Sequence, residues 1–95
     1  MWVKNAGGTS DKACKCGSWL EHWKKFSGQA VPGFCPANDC YEKELVGAHV
    51  KKHDWSDTST YIVPLCNKHN SKDSASEISD AWGLVSANVA ATCGK

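Results

Sequence analysis

The chain has 95 residues, of which six are cysteines, and 11 basic against 10 acidic side chains leave a net charge of +1. That length fits one domain, 1–95, with a core small enough to need disulfides or metal as further support. No stretch approaches the roughly 18 apolar residues of a membrane span, the N-terminus has no apolar signal-like run, and the charge balance provides no overall basic field. A cytoplasmic setting is the expectation, and there thiols stay reduced and favour metal.

Every basic residue is lysine. Arginine, the usual residue for bidentate base and phosphate contacts, is missing. The lysines are unevenly spread. Lys4, Lys12, Lys15, Lys24 and Lys25 face only Asp11 and Glu21 in the first 25 residues. Residues 39–57 are acidic, with Asp39, Glu42, Glu44, Asp54 and Asp57 against Lys43, Lys51 and Lys52. The Lys-rich N-terminal third is therefore the expected phosphate-facing surface.

Residues 5–12 read as loop. Ser18 followed by Glu21 is a capping box, so a helix is expected from Trp19, with Gly28 as its stop. Trp19, Trp23 and Phe26 recur at i, i+4 and i+7, a stripe expected to pack in the core. A base-stacking platform flanked by Lys24 and Lys25 is the other reading of the same stripe. "CPANDC" at 35–40 is a tight Pro/Asn/Asp turn. "LVGAHV" at about 45–50 and "TYIVPL" at 60–65 are expected strands, with a polar loop at 51–59 between them. "NKHNSKDSASEISDAW" is expected to carry a short, irregular helix that Gly83 ends. "LVSANVAATC" alternates Val85, Ala87, Val89 and Ala91 on one face, a final strand.

Two short-range ligand pairs are the usual way to build a structural zinc site, because each closes a small loop at low entropic cost. Cys35-x4-Cys40 lies on the 35–40 turn. Cys66-x2-His69 lies where a strand gives way to a helix start, whose backbone N–H groups favour a thiolate. Knuckle, hairpin and helix in that order predict a small α+β, zinc-stabilised treble-clef core over 35–72, with the N-terminal helix and the C-terminal strand packed on it. A second Cys3His set is Cys14, Cys16, His22 and Cys93. His22 points back along its helix towards Cys14 and Cys16, and Cys93 is the remaining cysteine. An exposed reduced pair, a free Cys93, or His53 in place of His22 are alternatives for this set. Two zinc ions are favoured over one. A disulfide framework is the rival account, but nothing selects a pairing, and it leaves the spacing of His69 to chance.

The stretch "GAHV…TYIVPLCNKHNSK" resembles the HNH endonuclease family, over residues 35–72. The resemblance implies a ββα-metal fold with Cys35, Cys40, Cys66 and His69 as zinc ligands, and a nucleic-acid phosphodiester as substrate. It places His49 at the general base and Asn70 at the last motif position, a metal ligand in some variants. Ala48 stands where many members carry a metal-binding Asp or His, and Thr60 or Tyr61 where an asparagine orients the base. Asp54, Asp57 or His53 would have to substitute as ligands. The expected function is thus a zinc-stabilised binding module, monomeric and linked to nucleic acid, rather than an enzyme. The alternatives are a metal-dependent HNH-like nuclease and a protein-interaction zinc module using the acidic 39–57 region.

Overall fold

The computed structural model describes residues 2–5, 18–38, 40–52, 59–70, 75–79 and 81–87. Its elements are β1 (Trp2–Asn5), α1 (Trp19–Ser27), β2 (Leu45–Lys52), β3 (Thr60–Cys66), α2 (Asn67–Asn70), β4 (Ser76–Glu77) and β5 (Val85–Ser86). The strands form one antiparallel sheet in the order β4-β1-β2-β3-β5. The architecture is α+β, as composition and spacing imply.

The β2–β3 hairpin is the centre of this sheet, with Ala48 opposite Val63 and His49 opposite Ile62. Alternation sends these two rows of side chains to opposite faces. On one face Val3, Ala48, Val50, Val63 and Leu65 are buried with Ile78 and the cysteines Cys35, Cys40 and Cys66. On the other, Ile62 and Val85 pack with Trp23 of α1. Both faces are covered, which is why β3 reads as a continuous apolar run.

Helix α1 forms where the sequence signals place it. The Ser18 hydroxyl accepts from the Glu21 amide at 3.1 Å, and Gly28 ends the helix at φ +69°, a left-handed conformation that suits glycine. Of the Trp19, Trp23 and Phe26 stripe, Trp23 is buried and Trp19 half-buried against the sheet, while Phe26 is exposed. Trp23 is fully buried and its indole N–H donates to the Gly83 carbonyl at 2.8 Å, which ties α1 to the chain just before β5. Ser18→Ala removes the cap and is expected to cost about 1 kcal/mol, read as a lower midpoint in urea unfolding.

The short helix expected within residues 67–82 is α2, which covers Asn67–Asn70; further on, Ser76–Glu77 is the strand β4 and Ile78 bridges to Ala37. Serines and a β-branched isoleucine favour an edge pairing once Ser76 and Ile78 can both be buried. Two expectations need correction. Lys51 and Lys52 belong to β2 and not to a loop. Strand β1 lies between β4 and β2, where no element was expected. In the final strand Val85–Ser86 pairs with β3, and residues 88–95 lie outside the described residues.

Candidate metal centre

Cys35, Cys40, Cys66 and His69 converge, with their ligating atoms all within 4.8 Å of one another. Cys66 closes β3 and His69 sits one turn later in α2, so their spacing of three brings Cys66 Sγ to 3.2 Å from His69 Nδ1. Cys35 and Cys40 come from the turn. The Cys35 amide donates to the Glu42 carbonyl at 2.7 Å, and the Cys40 amide to the Ala37 carbonyl at 3.2 Å. Asn38 pins the tip of the turn to β4: its amide donates to the Glu77 carbonyl at 2.9 Å and its side chain to the Glu77 carboxylate at 2.7 Å.

The spacing of the ligand atoms can be compared with a zinc tetrahedron. Bonds of about 2.3 Å to sulfur and about 2.0–2.1 Å to nitrogen give edges of about 3.8 Å between sulfurs and about 3.6 Å between sulfur and nitrogen. Cys40 Sγ and Cys66 Sγ lie 3.7 Å apart, and Cys35 Sγ lies 3.8 Å from His69 Nδ1. A disulfide needs sulfurs at about 2.0 Å. The three cysteines are free thiols, so the cluster has the dimensions of a metal site and not of a cross-link. The donor set fits zinc, with soft sulfur and one imidazole.

Burial and hydrogen bonding treat the thiols differently. Burial pushes the Cys35 thiol up from 9.0 to about 11, although the backbone N–H groups of Cys66 and Ala37 pull against it. Burial also acts upward on Cys66, but the His69 amide, the Cys40 and Cys35 thiols and the Lys68 amide outweigh it and bring Cys66 below 9.0. Hydrogen bonding thus favours the thiolate at Cys66, while burial disfavours it at Cys35. Cys35 keeps its proton at neutral pH, so metal uptake must displace it. Apparent zinc affinity is expected to rise with pH, by about tenfold per unit for each proton displaced. Chelator competition at pH 6.5, 7.5 and 8.5 measures this, and a flat profile would exclude thiolate ligation.

The second proposed set is not assembled among the described residues. Cys14, Cys16 and Cys93 lie outside them, as do His53, Asp54 and Asp57. His22 is fully buried, with Nε2 2.8 Å from the Ser86 carbonyl oxygen. A carbonyl only accepts, so Nε2 carries a proton in this contact. Cys35, Cys40, Cys66 and His69 are the one such group among the described residues.

His49 is buried on the α1 side of the sheet, its ring 4.5 Å from the Trp19 indole in an edge contact. Asn70 is half-buried at the end of α2. Two features escaped the sequence reading. Asn38 and Glu77 brace the knuckle, and Ser76–Glu77 supplies the strand that does it. Asn38 lies inside the Pro/Asn/Asp turn, which hints at a bracing role, but nothing in the sequence points to Glu77 as its partner.

Among the described residues no helix is long and apolar enough to cross a membrane. Compared with protein-family models, curated proteins and solved structures, the chain has no significant match.

Proposed function

We propose that this chain is a zinc-stabilised binding module with a treble-clef core that binds nucleic acid in a reducing compartment such as the cytoplasm. The observation that carries the zinc assignment is the convergence of the Cys35, Cys40, Cys66 and His69 ligand atoms within 4.8 Å of one another, with two of their separations, 3.7 and 3.8 Å, near the edge lengths of a zinc tetrahedron. Four protein ligands close the coordination shell, so the ion supplies folding energy and leaves no position for substrate. The treble-clef reading is supported by chain order: the 35–40 knuckle, the β2–β3 hairpin, then α2 directly after Cys66. The HNH resemblance enters as scaffold and not as reaction, since His49 packs beneath Trp19.

A second zinc at Cys14, Cys16, His22 and Cys93 is part of the proposal. Native mass spectrometry is expected to record two zinc ions, both removed by chelator, with Cys35→Ser losing one. A metal-free mass lower by two hydrogens per bridge would overturn the zinc reading. The nucleic-acid role is tested by anisotropy with short DNA and RNA oligonucleotides at about 20 mM salt, where phosphate contacts are strongest. Absence of binding there would refute it.

A further inference from the structure

Lys4 and Lys51 are directly opposed across the β1–β2 pairing, in the register Lys4↔Lys51. Directly opposed antiparallel residues hold their Cβ atoms about 4.5–5.5 Å apart, and like charges so placed are destabilising. Both side chains are exposed, and among the described residues neither ammonium has a carboxylate partner. Strands β1, β2 and β3 contain no acidic residue at all, while Lys52 follows Lys51 with its ammonium 5.0 Å over the Tyr61 ring. Asp54 and Asp57 lie outside the described residues.

Trp2 stands two residues before Lys4, on the same side of β1 by strand alternation. Its side chain is 52% exposed, an unusual position for an indole that contributes little to the core. The carboxylate nearest in register, Glu77 opposite Trp2, is already bonded to the Asn38 side chain at 2.7 Å. An exposed ring beside two adjacent ammoniums is the combination that single-stranded nucleic acid uses, with a base on the ring and phosphates on the cations.

We infer that the sheet face bearing Trp2, Lys4 and Lys51 is the surface on which single-stranded nucleic acid docks; this rests on the nucleic-acid reading above. The two lysines neutralise neighbouring phosphates and Trp2 stacks a base. The surface draws on Lys51 from the acidic middle of the chain and does not require Lys24 or Lys25, which lie on α1. Bound phosphate relieves the repulsion that the free fold carries.

Two independent measurements test this on the full chain. In salt titrations with a 12-nucleotide single strand, Lys4→Gln/Lys51→Gln is expected to flatten the slope of log K against log salt by about 1.4, about 0.7 per lost contact. Trp2→Ala is expected to weaken binding about tenfold at unchanged slope, and Lys24→Gln/Lys25→Gln to leave both values unchanged. An unchanged slope in the Lys4/Lys51 variant, or a slope carried by Lys24 and Lys25, overturns the assignment while the nucleic-acid reading stands. If the wild type binds no oligonucleotide, both fall. Without nucleic acid, Lys51→Glu is expected to raise Tm by about 1–6 °C by turning repulsion into attraction. A lower Tm would refute the opposed lysines even if binding is seen.

Discussion

Cys66→Ala is expected to abolish the cooperative unfolding transition of the protein together with the zinc of the Cys35, Cys40, Cys66 and His69 cluster. Cys66 is the joint between the two halves of the cluster. Its sulfur lies 3.7 Å from Cys40 Sγ and 3.2 Å from His69 Nδ1, and its amide donates to Cys35 Sγ at 3.4 Å. Removing its sulfur leaves three ligands and deletes the contacts to Cys40 Sγ and His69 Nδ1. The cysteines also belong to the larger apolar cluster, so the metal and the core on that face stand or fall together. A structural zinc contributes about 10–16 kcal/mol of binding free energy, more than the ~5–15 kcal/mol by which a domain is stable. Circular dichroism with thermal and urea scans, alongside bound zinc measured by a chromogenic chelator, checks it. A soluble Cys66→Ala variant with a sharp transition would show that the core folds without the site.

Gly47→Ala is the second large expectation, on the opposite face. A Cβ built at Gly47 would fall onto the carbonyl carbon of Trp19, 2.5 Å from the Leu20 amide nitrogen and 2.6 Å from the Trp19 Cβ. These are mostly backbone atoms of the first turn of α1, so no rotamer change relieves the clash. The helix has to lift from β2, and with it Trp19 leaves His49 and Trp23 loses its fit over Ile62 and Val85. Overpacking of this kind costs about 3 kcal/mol or more when backbone must move. The expected readout is a fall in Tm of more than about 10 °C with the zinc of the Cys35, Cys40, Cys66 and His69 cluster retained, because that cluster lies against the other sheet face. Loss of that zinc in this variant would mean that the two faces fold as one unit.

The parts of the fold legible from the sequence are those whose cause is local. Ser18, Glu21 and Gly28 specify α1 because a cap and a left-handed stop act within one turn. Cys35 with Cys40, and Cys66 with His69, announce themselves because each pair closes a short loop. Strands β1 and β4 are different. Trp2–Asn5 and Ser76–Glu77 are too short for a period of two to stand out, and serine-rich sequence argues for turns until a partner strand satisfies its backbone. His49 could be aligned with a catalytic base from its neighbours in sequence, yet its burial under Trp19 depends on a helix some 25 residues earlier in the chain.

What the sequence points to by itself is the Cys35, Cys40, Cys66 and His69 set, the positions of α1 and of the β2–β3 hairpin, and the need of so small a core for support beyond apolar packing. Short-range spacing carries all of these. What only the tertiary structure decides is that the two ligand pairs meet within 4.8 Å, that Asn38 and Glu77 brace them, and that Lys4 faces Lys51. The reason is strand register. A slip of one residue turns every side chain of a strand to the other face, and nothing in the sequence around Lys4 or around Lys51 names the other as its neighbour.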